Sequence, residues 1–232
     1  MRQDDTMASW DAIANSFNLT RRKPWPVVLD FLNNRQPTDT IMDLGCGNGR
    51  HLFPAARQAH YAIGVDFSRN LLNLVNKKLQ EQQADNISLV QADLVHLPFC
   101  DGTADVILFI AALHNIRMRK NRQEALREVH RVMKPSATAL ISVWSRWQDA
   151  YRTHFLKERF RHRPPGEFGD IDILWRQHRL DVSRFYHLYS RKEFAEDLAM
   201  ADLEVSSLQA VKLVSRLYPD NYFAVVTRKQ GF

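Results

Sequence analysis

The sequence predicts an α/β fold: a doubly wound, mostly parallel sheet with helices on both faces and an antiparallel strand at its C-terminal end. Three observations carry this expectation. Strand-like and helix-like patterns alternate from residue 40 to residue 143. Several strands are unbroken apolar runs, such as V-I-L-F-I at 106–110, as a sheet covered on both faces requires. The first strand runs straight into D-L-G-C-G-N-G, where Gly45, Gly47 and Gly49 crowd a strand-to-helix turn.

Taken in order, residues 8–34 read as two short helices separated by T-R-R-K-P-W-P. Residues 40–44 form a strand ending at the glycine turn, and a helix follows over 50–58. Residues 61–65 form the second strand. Asp66-Phe67-Ser68 then opens a helix to about residue 81, with Ser68 as its N-cap. Strands follow at 87–91 and 104–110, a helix at 119–133 and a fifth strand at 137–143. L-E-V-S-S-L-Q-A-V-K-L and N-Y-F-A-V-V-T-R-K read as a terminal hairpin with L-Y-P-D near its turn. Residues 146–190 interrupt the rhythm, with many basic and aromatic residues and little periodicity after Arg161. Their aromatic content argues against disorder, so they read as an insertion over the C-terminal edge of the sheet, above the active site. The whole chain, 1–232, reads as one domain, with residues 1–38 as a helical extension on the substrate side.

Composition narrows the function classes. Hydrophobic residues make up 45% and charged residues 25%, as in ordinary soluble domains. No apolar run is long enough to span a bilayer, and the N-terminal stretch has no apolar signal core. Cys46 and Cys100 are too few for a zinc site or a disulfide framework, so no metal is expected and a reducing cytoplasm is the default. The net charge of +6 points to an anionic partner, with nucleic acid the first candidate.

In a doubly wound sheet, ligands bind at the carboxyl ends of the strands. A dinucleotide fold wants G-x-G-x-x-G and places pyrophosphate on the helix N-terminus. Here the loop is G-C-G-N-G, and Asp43 precedes it. That carboxylate would repel pyrophosphate but suits a cationic amino-acid moiety. Asp66, at the end of the second strand, can accept both hydroxyls of a ribose. Asp93, after the third strand, can accept from an adenine amino group. The three together suit an adenosine that carries a positive charge.

D-L-G-C-G-N-G, G-V-D-F-S and A-D-L-V-H-L-P-F resemble motifs I, II and III of the class I S-adenosylmethionine-dependent methyltransferases. The resemblance implies a Rossmann-like, seven-stranded sheet and S-adenosylmethionine as cofactor. It implies a binding set of Asp43, Gly45, Gly47, Asn48, Gly49, Asp66, Phe67, Asp93, Leu94 and Ile110. The family's L-K-P-G-G before strand five is here Met133-Lys134-Pro135-Ser136-Ala137, read as a turn away from the cofactor.

A cofactor fold does not name the methyl acceptor. Three further stretches resemble the wobble-uridine tRNA methyltransferases that esterify a 5-carboxymethyl group. They are T-R-R-K-P-W-P, I-A-A-L-H-N and R-F-Y-H-L-Y, the last being the most specific. Asn115 stands for the family's second His, and Phe185 for the first Tyr of the late motif. The substrate candidates are then Arg21, His114, Arg184, Tyr186 and His187. Arg21 as a helix cap and His187 as a satisfied core histidine stay open beside these roles. A carboxylate acceptor is already ionised and needs no general base.

Residues 117–134 hold seven Lys or Arg against two Glu. Together with the basic insertion they suit the phosphates of an anticodon stem-loop, with interleaved aromatics for unpaired bases. The RNA-binding candidates are Arg22, Lys23, Arg117, Arg119, Lys120, Arg122, Arg161 and Arg163. Spacings such as Glu124–Arg127 also allow plain surface pairing. The resemblance further implies a small zinc-binding activator protein that extends the sheet at residues 86–91. The readings that compete are a class I methyltransferase of another RNA position or of a small acid, and a catalytically silent tRNA-binding module.

Overall fold

In a computed structural model, which describes residues 3–33, 35–160 and 166–229, strands β1 (Thr40–Leu44), β2 (Tyr61–Asp66), β3 (Ile87–Gln91), β4 (Ala104–Ile110) and β5 (Met133–Trp144) are all parallel. The C-terminal strands β8 (Leu203–Val211) and β9 (Asn221–Arg228) complete a seven-stranded sheet in the order β3-β2-β1-β4-β5-β9-β8. β9 runs antiparallel to β5 and to β8, so it is interior and β8 takes the edge. The terminal hairpin therefore folds back into the sheet rather than merely lying along its rim.

Strand periodicity explains the two-faced core. In β4, Ile107 and Phe109 pack with α5 (Arg119–Val132) and α7 (Arg191–Met200). Val106, Leu108 and Ile110 point the other way, to α2 (Pro26–Leu32). Alternate residues serve opposite faces, which is why the run must be apolar throughout. Pro26 sits in the first turn of α2, where its missing N–H costs nothing.

The helix after the glycine turn, α3 (Leu52–Ala56), is shorter than 50–58. α4 (Arg69–Gln82) begins on Ser68, whose Oγ accepts the Leu71 N–H at 3.2 Å, and ends on Gln83 at φ 49°. The stretch read as a turn, 133–137, is already strand. Its pairing slips between Ala104↔Met133 and Val106↔Thr138, which absorbs the extra residues as an irregularity.

Residues 146–160 and 166–190 carry more regular structure than their weak periodicity suggests. They hold α6 (Arg152–Glu158) and a two-stranded antiparallel hairpin, β6 (Asp170–Trp175) with β7 (Val182–His187). Ile171, Ile173, Phe155, Tyr186 and Leu188 form a small core of their own. The N-terminal helix α1 (Gln3–Thr20) packs on α4 and on β7. Asp11 fixes that contact: its Oδ1 accepts the Ser68 hydroxyl at 2.5 Å and the Asn70 N–H at 3.0 Å. The sheet's carboxyl ends thus face α1 on one side and the hairpin on the other.

Candidate active site

A cavity of about 710 Å³ lies over the carboxyl ends of β1, β2, β4 and β5. Its floor is the glycine turn. Gly45 has φ +71°, and a Cβ there would stand 2.4 Å from the Ala112 Cβ, so no larger residue fits. The Gly45 and Cys46 N–H groups both donate to the Val65 carbonyl, at 2.7 and 2.9 Å, pinning the turn to β2. Gly47 donates to Asp66 Oδ2 at 2.8 Å, and Ser68 N–H to Asp66 Oδ1 at 2.9 Å.

Asp43 does not reach the cavity. It is buried behind the turn, and its Oδ2 has no hydrogen-bond partner among the described residues. Burial pushes its carboxyl up to about 7, with Arg50 opposing the rise and Asp66 adding to it. Burial also raises Asp66, to about 6, against the N–H groups of Ser68 and Gly47. Gly47, Asn48, Phe67, Asp93, Leu94 and Ile110 line the cavity, whereas Gly49 lies beneath it. The Asn48 amide turns partly away, donating to the Arg21 carbonyl at 2.9 Å and so tying the end of α1 to the glycine turn.

The opposite wall carries the other candidates. Arg184 and Tyr186 project from β7 into the cavity, and their side chains hydrogen-bond to each other. The Arg184 guanidinium lies 4.7 Å from the Trp175 ring, 5.1 Å from Tyr186 and 5.4 Å from Trp10. It is buried, and its Nε has no partner among the described residues. Arg21 lies over the other part of this corner, 5.4 Å from Trp175. His114 follows β4 in a single 3-10 turn, Leu113–Asn115. Its Nδ1 accepts the Trp144 N–H at 3.1 Å, which leaves the ring proton on Nε2. Burial, with Arg184 nearby, lowers its pKa to about 3, so the ring is neutral. His114, Tyr186 and Trp144 stack, with Tyr186 and Trp144 only 10° from parallel at 5.0 Å.

Several expectations need correction. His187 is not in the cavity. It is fully buried on the other face of β7, between Asp170 (2.7 Å) and Glu193 (2.8 Å). Arg122 is not on the surface either: it donates to the Tyr189 hydroxyl at 2.9 Å and to Glu167 at 2.5 Å, completely enclosed. Arg119 is held by Asp197 at 2.7 Å and Glu196 at 3.8 Å. Arg117 lines the cavity but also sits 4.1 Å over Phe185 and 3.5 Å from Asp172. Arg22, Lys23 and Lys120 are exposed. Arg161 and Arg163 lie outside the described residues. Glu167, Asp170 and His187 offer a ligand set in shape, yet Arg122 and the Glu167 N–H already occupy the carboxylates.

Sequence reasoning did not single out Trp144, Tyr151, Trp175, Arg50 and Gln148, which also line the cavity. They come from separate segments, and no local spacing joins them. Trp10 and Trp25 lay inside quoted motifs without an assigned role.

Comparison with known proteins agrees with this geometry. The methyltransferase domain family matches residues 42–141. A protein of Encephalitozoon cuniculi named as a methyltransferase is 30% identical over 188 residues, 81% of each chain. The tRNA (carboxymethyluridine(34)-5-O)-methyltransferase of Schizosaccharomyces pombe is 29% identical, covering 81% of this chain and 83% of its own. The Arabidopsis thaliana protein of that name is 36% identical over 60% of this chain, which spans only 32% of that relative's length. Among solved structures, a Methanosarcina mazei S-adenosylmethionine-dependent methyltransferase superposes with TM-score 0.72 at 20% identity, covering 89% of this chain and 98% of its own. A chain from a complex between the Haloferax volcanii Trm112 methyltransferase activator and a methyltransferase gives 0.68 at 16% identity, covering 98% of both.

Proposed function

The chain belongs to the class I S-adenosylmethionine-dependent methyltransferases, and on that premise we propose that it methylates the carboxylate of a 5-carboxymethyl group on wobble uridine 34 of a tRNA anticodon, forming the methyl ester. The observation that carries this reading is Arg184: a buried guanidinium with an unpartnered Nε, opening onto the same cavity as the glycine turn. Such a group calls for an anion, and its planar fork matches a carboxylate. The names of the Schizosaccharomyces and Arabidopsis relatives support the same acceptor.

The cofactor end fits S-adenosylmethionine. Asp43, buried behind the turn with Oδ2 unpartnered among the described residues, lies beneath the Cβ-free cradle at Gly45, and its charge acting through the turn suits a cationic ligand pressed against it. Gly47 lets the ligand approach the turn's backbone, Gly49 leaves room beneath the turn for the Phe53 ring, and Asn48 fixes the turn's far end. Asp66 would accept the ribose hydroxyls, Asp93 the adenine amino group, and Phe67, Leu94 and Ile110 would pack on the base. Held there, the cofactor would supply an electrophilic methyl on positively charged sulfur, with the C–S electron pair returning to sulfur as the methyl passes to a carboxylate oxygen.

The protein's part is to hold the acceptor oxygen in line. Arg184 and Arg21 fix the carboxylate and leave one oxygen free to react. Neutral His114 donates from Nε2 and cannot compete for the methyl through Nδ1, which is engaged by Trp144. Tyr186 stacks against both His114 and Trp144, which also touch each other, and the three rings close that wall of the site. No proton has to leave the acceptor, and no residue here is asked to act as a base. Arg22, Lys23, Arg117 and Lys120 lie where RNA phosphates approach, and a zinc-binding activator extends the sheet at the free edge of β3.

Mass spectrometry of wobble nucleosides from a strain lacking the gene tests the reading. The methyl ester should disappear and the free 5-carboxymethyl acid accumulate. Unchanged carboxymethyluridine derivatives reject it.

A further inference from the structure

The turn between β8 and β9 is held in an unusual way. Asp220, itself buried, accepts the N–H groups of Leu213 (2.8 Å), Val214 (2.6 Å) and Ser215 (2.7 Å). Asp149, from a separate segment, accepts those of Arg216 (2.8 Å), Leu217 (3.0 Å) and Tyr218 (3.0 Å). Six consecutive amides thus close onto two carboxylates. The backbone is wound inward, and the side chains are pushed out: Val214 is 89% exposed, Leu217 69% and Tyr218 44%. Apolar side chains are seldom displayed on so tightly fastened a loop.

Around them stand cations. The Arg152 guanidinium lies 4.4 Å from the Tyr218 ring, and Lys212 Nζ reaches the Arg216 carbonyl at 3.4 Å. The two acidic groups of the region are turned inward onto amides. The loop is continuous with the active site, because Leu213 and Val214 line the cavity together with Gln148 and Tyr151, which flank the loop's anchor Asp149. An apolar and aromatic ledge ringed by Arg152, Lys212 and Arg216, beside the active-site cavity, matches a polyanion with exposed ring faces. Unpaired nucleotides have that chemistry, and stacking on aromatic and guanidinium planes is how they are held.

We propose that residues 212–218 form a preorganised platform on which the nucleotide flanking the acceptor uridine stacks, so that the acceptor enters the cavity already turned out of its strand. This rests on the tRNA reading above and adds to it a residue-level basis for preferring RNA over the isolated nucleoside. Fastening the loop beforehand removes an ordering cost from binding.

The test uses the full chain and an anticodon stem-loop RNA carrying 5-carboxymethyluridine, with 2-aminopurine as the flanking base. Wild-type protein should quench the 2-aminopurine fluorescence on binding. The double variant Leu217→Ser/Tyr218→Ala should lose most of that quenching. Its kcat/KM on the stem-loop, divided by that on free 5-carboxymethyluridine, should fall about ten-fold. A double variant with unchanged quenching and an unchanged ratio overturns the proposal. So does a variant that keeps both but loses binding to an activator protein, which would assign the ledge to a protein partner. Failure of wild-type protein to esterify the stem-loop at all would instead reject the tRNA reading, so the two failures are distinct.

Discussion

Asp43 sits in an environment far from its chemistry in water. Its carboxyl stands at about 7 because burial opposes the charge, and Arg50 only partly offsets this. A folded value above the unfolded one favours folding below about pH 4. That contribution is lost as the pH rises through 7. Without ligand, Asp43→Asn should therefore raise the melting temperature more at pH 8 than at pH 5. A cationic ligand needs the ionised form, so S-adenosylmethionine affinity should rise about five- to ten-fold between pH 6 and pH 7.5, with Asp66 contributing to the lower part. Calorimetric titration of Asp43→Asn should show weaker binding and a flatter pH profile; a profile as steep as wild type assigns the dependence elsewhere. Arg184 permits an equally sharp experiment at the acceptor end. Arg184→Lys keeps the charge but loses the planar fork, and the shorter donor set leaves the aromatic corner of Trp10, Trp175 and Tyr186. Carboxylate methylation should drop about a hundred-fold in kcat/KM, with S-adenosylhomocysteine affinity unaltered. Equal losses in both would mean that Arg184 supports the fold rather than the acceptor.

β7 shows how one strand serves two purposes. Side chains alternate across a strand, so Arg184 and Tyr186 enter the cavity while Phe185 and His187 face the core. R-F-Y-H-L-Y offers Arg184, Tyr186 and His187 as site candidates, with a core role for His187 left open; the alternation that decides between them is present in the letters but requires recognising a strand inside a basic segment. D-I-D-I-L-W is its partner, with two aspartates in six residues, and among the described residues it pairs only with β7. By contrast β1, β3 and β4 keep the expected bounds, 40–44, 87–91 and 104–110, because they lie within the regular alternation of strand and helix. Arg122 illustrates the opposite difficulty. α5 reads as a charged surface helix, and its Glu124–Arg127 and Glu128–Arg131 pairs are indeed on it. Arg122 instead meets Tyr189 and Glu167, forty-five and more positions away, which no helical spacing reveals. Its loss would strand Glu167 beside buried partners, and Arg122→Ala should cost about 3–5 kcal/mol in urea denaturation. Lys120→Ala should stay within about 0.5 kcal/mol. The roles reverse for RNA: Lys120→Ala should lower the salt slope of stem-loop binding by about one, and Arg122→Ala, where it folds, should leave the slope unchanged.

Across the whole molecule, the sheet has two edges, and they are not equivalent. β8 forms one, with the interior strand β9 behind it; β3 forms the other, paired only with β2. Both present unpaired backbone groups, a liability that proteins cover or blunt. β3 has five residues and no proline or lysine to discourage pairing. Its side chains are already committed to the two faces: Ile87 packs against α3 and α4 with Leu89, and Ser88 Oγ meets the Tyr61 hydroxyl at 2.5 Å. What remains for a partner is the backbone itself, the requirement for adding a strand to a sheet. The cavity lies over the carboxyl ends of β1, β2, β4 and β5, so a partner on β3 would leave its mouth and the 212–218 ledge open to RNA. An activator that adds a strand there should slow amide hydrogen exchange at residues 87–91 in the complex, with β8 unchanged. Melting temperature and soluble yield should rise together, since the same backbone groups are withdrawn from water and from other chains. Protection confined to β8, or none at either edge, would exclude β3 as the docking strand and leave the cavity chemistry untouched.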